Sequence, residues 1–398
     1  MPRTTSSTEP SRYTHPFFGV PTAQRQPLPG TQAKSFTAYS QANLGPIPKP
    51  SRTPLITLDQ IIGSAGVKEI TAAGSIRIHA VGDTGRTNAG NEQEEVAMRM
   101  QADFDPKGGA ANPAFFLHLG DVIYGPNKDL QYRDQFYQPY KNYPGKIVAI
   151  AGNHDGETYP KTDMVPVGAF LKNFCTAKAA VPPIASGVGI FRQTMTEPGV
   201  YWLLDMPFVQ IVGLYSNVAD GPGFLIGKNN DAQQTTWLAK TLTSLAAQRK
   251  SAKNKAGRKA LLIAVHHPPY SNGGHAGSPE VLSALDAACN QAGIMPDAVL
   301  SGHAHNYQRH TRRISFQGKA MQIPFIVAGC GGHNDLPVAV AHGQVVGDTT
   351  YDKALRGYGY LTVTVSSATL KIEMCQVPST ANTTFDSVTV DLATNKTK

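Results

Sequence analysis

The sequence predicts an α/β protein whose sheets are covered by helices, preceded by an extended N-terminal arm. Three observations carry this. From Ile76 onward, short apolar runs of strand length alternate with amphipathic stretches. The last part of the chain holds close-spaced β segments with no helix between them. Residues 1–55 are rich in Pro, Ser, Thr and Gln and have no sustained apolar period. The expected division is an arm over 1–55 and one folded domain over 56–398.

In chain order the predicted strands are IRIHAV, FFLHLG, KIVAIAG, VYWLLD, FVQIVGLY, ALLIAV, DAVLSG and PFIVAG. Helices are predicted near 92–103, 231–247 and 279–292, where the apolar spacing becomes helical. GYGYLTVTVS, TLKIEMCQV and DSVTVDL then imply a second, largely antiparallel portion.

With 41% hydrophobic and only 16% charged residues, the composition is that of a folded chain rather than a disordered one. The longest apolar runs, around 147–151 and 260–265, are far too short to cross a bilayer, so no membrane span is expected. A net charge of +8 suits anionic partners, whether a phosphorylated substrate, a nucleic acid or an anionic surface. The densest basic stretch (Arg249, Lys250, Lys253, Lys255, Arg258, Lys259) lacks aromatic residues on which bases could stack. It reads as a solvated connection, and nucleic acid is not the expected partner. Four cysteines without a CxxC pair indicate neither a zinc knuckle nor a disulfide framework. The first twenty residues lack the apolar core and small-residue cleavage site of a secretory signal, so the default compartment is the cytoplasm unless a signal has already been removed. Nothing in the sequence sets an oligomeric state.

Five short motifs fall at strand ends, where the loops of α/β sheets collect catalytic groups. They are GDTG at 82–85, GDVIY at 120–124, GNHD at 152–155, AVHHP at 264–268 and GHAH at 302–305. Each places an oxygen or imidazole ligand just after an apolar run, and in four of them an adjacent glycine lets the backbone turn sharply. Singly, Asp83 and Asp121 read as caps, Asn153 as a turn former, and His266, His303 and His305 as ordinary histidines. Five such motifs in one chain are hard to explain by packing, because buried Asp and His each need partners.

In their letters and order the motifs resemble the calcineurin-like metallophosphoesterase superfamily and, within it, the purple acid phosphatases, whose pattern is DxG, GDxxY, GNH with an acidic residue, VxxH and GHxH. Only the valine of the fourth motif departs, being Ile263 here. The glycine-rich VAGCGGH at 327–333 is also similar to the family. The resemblance implies a two-sheet αββα sandwich of the metallophosphoesterase type. It also implies two metal ions, Fe(III) plus a divalent ion (Fe, Zn or Mn). One ion would be held by Asp83, Asp121, Tyr124 and His305, and the other by Asp121, Asn153, His266 and His303. Many relatives carry a ligating histidine in the first motif where this chain has Gly85, so Tyr124 is placed to fill that gap as a phenolate.

The implied activity is that of an acid phosphatase cleaving phosphate monoesters of a small molecule or phosphorylated substrate with a metal-bridging hydroxide. His154, next to Asn153, is the first candidate to protonate the leaving group, and His275 in SNGGHAG is the second. Asp155 either orients His154 or caps the segment that follows. His267 and His333 receive no role, and Arg309, Arg312 and Arg313 read as surface. The resemblance is also compatible with export. One competing reading is a phosphodiesterase of the same fold using Mn or Zn. Another is a catalytically silent metal-binding interaction protein.

Overall fold

The computed structural model describes residues 44–85, 90–125, 129–158, 164–251, 258–341, 343, 345–378 and 384–398. Strand β1 (Leu55–Thr57) leads into helix α1 (Leu58–Ala73) and strand β2 (Ser75–Val81). Helix α2 (Glu92–Ala102) then precedes β3 (Phe115–His118) and β4 (Lys146–Ala149). Two short helices, α3 (Asn153–Gly156) and α4 (Gly168–Phe174), are followed by β5 (Trp202–Asp205) and β6 (Val209–Leu214). The long helices α5 (Gln233–Ser251) and α6 (Pro279–Ala292) bracket β7 (Ala260–Val265) and the small hairpin β8 (Asn272–Gly273) and β9 (His275–Ala276). The rest is strand: β10 (Ala298–Ser301), β11 (Tyr307–Phe316), β12 (Lys319–Ala328), β13 (Val345–Val346), β14 (Thr349–Leu355), β15 (Tyr358–Ser366), β16 (Thr369–Val377), β17 (Thr384–Asp391) and β18 (Lys396–Thr397).

These strands form two large sheets. One has the order β1-β5-β6-β7-β10-β12-β11-β14-β13, the other β18-β17-β16-β15-β2-β3-β4. Strand β7 shows how they are stacked. Its alternate residues Leu262 and Ala264 join the core shared by the two sheets, while Leu261, Ile263 and Val265 face α5 and α6. Burial on both faces is why this run has no polar positions. On α5, Leu238, Leu242 and Leu245 form the buried stripe. Burying each contributes roughly 2 kcal/mol, which offsets the weak helix preference of the threonines between them. Helix α1 packs on β2, and α2 on β15 and β16, completing an α/β/β/α arrangement.

Three features differ from the sequence expectations. Helix α1 was not anticipated, because Gly63 and Gly66 dilute its apolar spacing; Gly63 at φ 75° kinks it. The antiparallel C-terminal strands are not a separate portion. β15 pairs with β2 and extends the parallel β2-β3-β4 group into one sheet. The folded unit also begins before residue 55. Gly45 exchanges hydrogen bonds of 2.9 and 3.0 Å with the buried amide of Asn217, Ser51 N–H donates to Pro198 O at 2.7 Å, and Ile47 is buried. Residues 1–43 of the expected arm lie outside the described residues. Among the described residues all four cysteines are unpaired, and no helix is long and apolar enough to cross a membrane.

Candidate metal centre

The five motifs sit at the carboxyl ends of β2, β3 and β4 in one sheet and of β7 and β10 in the other. Main-chain bonds tie these ends together: Asp83 N–H donates to Gly120 O at 2.9 Å, Gly302 N–H to His266 O at 3.0 Å, and Gly82 N–H to Ala328 O at 2.9 Å. Across the two sheets, His303 N–H donates to the Asp83 carboxylate at 2.7 Å. Asp83, Asp121, His303 and His305 have φ of 56°, 53°, 70° and 38°. Such left-handed backbone costs about 1–3 kcal/mol per residue and concentrates at functional sites. Gly120 has φ 92°, and a Cβ there would lie 2.6 Å from His266 Nδ1. At Gly85 a Cβ would lie 2.7 Å from Gln135 Oε1 and 2.8 Å from Ile123 Cα, so the first motif has no room for a side chain at this position.

All nine residues singled out in the sequence converge on this place. Donor atoms of Asp121, His266 and His303 lie within 4.8 Å of one another, and so do those of Asp83, Asp121 and His305. Asp121 belongs to both groups. The Tyr124 hydroxyl is 3.2 Å from Asp83 Oδ1 and 3.0 Å from His305 Nε2. Asn153 Oδ1 lies 3.1 Å from both His266 Nε2 and His303 Nδ1.

The donor chemistry fits cations. His266 Nδ1 is 2.8 Å from Leu119 O and His305 Nδ1 is 3.1 Å from Asn334 O. A carbonyl only accepts, so Nδ1 carries the proton in each ring, and a neutral ring turns a bare Nε2 inward. For His266 that lone pair faces Asn153 Oδ1 and, at 3.3 Å, Asp121 Oδ2, which are acceptors too. Among the described residues Asp121 Oδ2, Asn153 Nδ2 and His303 Nε2 are buried without a hydrogen-bond partner. These groups also compete for protons. Burial lifts the Asp83 carboxyl to about 7. Burial depresses His266, but the charges of Asp121 and Asp83 outweigh it and bring it up to about 9. Cations must displace these protons.

His154 and His275 border the cage. The His154 ring lies 4.4 Å from that of Tyr124, its Nδ1 pairs closely with Glu157, and its N–H donates to Asp121 Oδ1 at 2.9 Å. Burial disfavours charge on His154, but Glu157 and Asp121 outweigh it and carry its pKa to about 10. The His275 ring is 4.3 Å from that of His303, and burial lowers its pKa. The hairpin carrying it is pinned by Ala339 N–H to Asn272 O at 2.9 Å and Asn272 N–H to Gln308 Oε1 at 2.7 Å.

Asp155 does not orient His154. Its carboxylate accepts N–H bonds from Val122, Ile123 and Gly152 at 2.9–3.3 Å and so joins the second and third motif loops. Glu157 holds His154 instead, and the helix-like spacing of three residues was the only signal for it. His267 turns away from the cage: its Nδ1 is 2.7 Å from Ser216 Oγ and its Nε2 2.7 Å from Ala219 O. His333, left without a role in the sequence, stacks on Tyr124 at 3.5 Å. Arg309 pairs with Asp386 and Asp352, and Arg312 with Asp286 and Asp348, within the body of the protein.

Comparison with known proteins bears on the same span. The sequence profile of the family described as calcineurin-like phosphoesterase matches residues 76–307, which hold all five motifs. No curated protein sequence matches the chain significantly. Among solved structures the chain is similar to PhoD, with TM-score 0.49 and 14% identity over 88% of this chain and 73% of that one. It is similar to GAP50, the anchor in the inner membrane complex of Plasmodium, with TM-score 0.47 and 13% identity over 79% of this chain and 87% of that one. It is also similar to a dimetal phosphatase from Danio rerio, with TM-score 0.44 and 10% identity over 80% of this chain and 99% of that one.

Proposed function

Because this chain belongs to the calcineurin-like phosphoesterase family, we propose that it hydrolyses phosphate monoesters as a dinuclear enzyme of the purple acid phosphatase type. The observation that carries the reading is Tyr124. Its hydroxyl lies among Asp83 and His305 in one donor group, while Gly85 leaves no room for the histidine many relatives use. A phenol ordinarily keeps its proton near neutral pH, and burial beside Asp83 and Asp121 holds the Tyr124 pKa higher still. Only a strongly charged, hard cation would make it a phenolate ligand. The reading therefore assigns Fe(III) to Asp83, Asp121, Tyr124 and His305, and a divalent ion (Fe, Zn or Mn) to Asp121, Asn153, His266 and His303.

Bound there, the two ions supply Lewis acidity that lowers the pKa of water and neutralises charge on phosphoryl oxygens. The protein supplies the rest. Asp121 has two carboxylate oxygens and serves both groups, which an amide would do less well. His154, with Nδ1 engaged by Glu157, presents its other nitrogen to the substrate and gives the leaving alkoxide its proton. His275 contacts the phosphoryl oxygens from its pinned hairpin. The substrate is a phosphate-ester small molecule or a phosphorylated group on a larger one.

The test is the visible spectrum of the iron-loaded protein together with its rates on a nitrophenyl monoester and the bis-ester. A ferric phenolate absorbs visible light, whereas zinc with its filled d shell has no such transition. The expected result is a coloured protein, colour lost in Tyr124→Phe, and faster turnover of the monoester. A colourless iron-loaded protein would remove the purple acid phosphatase type. Faster bis-ester cleavage would put a phosphodiesterase in its place.

A further inference from the structure

His333 follows the glycine-rich run after the last motif and belongs to none of the ligand groups. Its ring lies parallel to that of Tyr124, with centroids 3.5 Å apart and 8° between planes. It stands edge-on to the His305 ring at 4.8 Å and 77°. It is also tied at two points to the loop of Asp83: Nδ1 lies 2.7 Å from Gly85 O, and the backbone N–H donates to Asp83 O at 2.9 Å. Because Gly85 O is an acceptor, Nδ1 carries the proton and the plane of the imidazole is fixed. His154 meets Tyr124 at 4.4 Å and 43°, so of these two imidazoles against the phenol only His333 lies parallel to it.

We propose that His333 is a positioning residue: its stacked ring clamps Tyr124 with the hydroxyl turned into the donor group of Asp83 and His305, and so sets the strength and electronic character of the tyrosine–metal bond. This rests on Tyr124 being a metal ligand. A phenol bonded to the protein only through its own rotatable side chain loses rotamer freedom when it binds a metal. A face-to-face partner that is itself hydrogen-bonded to the same loop removes that freedom beforehand. The stack also places an imidazole π-system against the ring whose electrons give rise to the visible absorption. Removing it alters the energy of that absorption as well as the retention of the ion.

The experiment compares the iron-loaded full chain with His333→Ala and His333→Phe, reading the visible absorption maximum and ferric ion retained against a competing chelator. The wild type should be coloured. In His333→Ala the maximum should shift and ferric ion should be retained roughly 2- to 10-fold less tightly, the range a lost aromatic stack gives. Phe, which restores a ring face without the Gly85 bond, should recover most of the retention. If His333→Ala folds poorly, shown by a collapsed melting transition of the zinc-loaded form, His333→Leu, which fills the space without a ring face, decides: a shifted maximum supports the clamp and an unchanged one overturns it. A coloured wild type whose maximum and retention are both unchanged in His333→Ala overturns the clamp alone. A colourless wild type overturns the reading of Tyr124, and the clamp with it.

Discussion

Glu157 and His154 form the closest carboxylate–imidazole pair bordering the cage. His154→Ala should lower turnover by about 10² to 10⁴ while leaving bound metal nearly unchanged, because general acids contribute in that range and this ring offers the cage no ligand. The loss should be large for a poor leaving group and small for nitrophenolate. Equal losses on both substrates would show that His154 is not the proton donor. At this scale the seven candidate ligands were legible because each follows an apolar run and precedes or follows a turn. Glu157 and His333 were not, since their importance lies in what they touch. Glu157 bonds a histidine three residues back, and His333 meets a tyrosine more than two hundred positions away. For Asp155 the sequence leaves two roles open, and the fold takes the capping one: its carboxylate accepts the Gly152 N–H at the start of α3. Adjacent to His154 in sequence, it faces the N–H groups of Val122, Ile123 and Gly152.

Among elements, the segment before β1 is where sequence and structure part most. Its described residues, 44–54, form no helix or strand and read as a linker, yet their backbone satisfies the buried amide of Asn217, a residue at φ 69° in the loop that His267 also braces. An unsatisfied buried polar group costs about 1–3 kcal/mol, and burial of Ile47 adds to that loss. A chain starting at residue 55 should therefore melt several degrees below one starting at residue 44, by differential scanning calorimetry. Identical melting would show that residues 44–54 contribute nothing to the fold. Strands buried on both faces, such as β7, announced themselves by composition alone. Strand β11 did not, because Arg309, Arg312 and Arg313 interrupt its pattern; Arg309 faces Asp352 on β14 and Asp386 on β17, and Arg312 faces Asp286 on α6 and Asp348 beside β14, partners that only the fold brings close.

Over the whole molecule, the alternation of strands and helices was enough to read the α/β class, but not which sheet each strand would join. That choice depends on pairings between distant segments, as when β15 closes on β2. The result puts the ends of β2, β3 and β4 opposite those of β7 and β10, and this meeting of two sheets is what assembles one cage from five motifs. Ion pairs hold the far end of the same strands. Asp297, before β10, is bonded by Arg249 and Arg258, two members of the basic stretch that sequence alone read as a solvated connection. Burial opposes charge on Asp297, but those arginines prevail and keep its carboxyl below the usual range. A dinuclear phosphoesterase turns over only when its cage holds both ions. The direct measurement is titration of chelator-stripped protein with metal, following bound metal per chain and nitrophenyl phosphate hydrolysis together. Activity should be absent without metal and reach its plateau as both donor groups fill, at two ions per chain. Asp121→Asn, which removes the charge shared by both groups, should bind metal weakly and stay inactive. Full activity in the stripped protein, or in Asp121→Asn, would contradict the account.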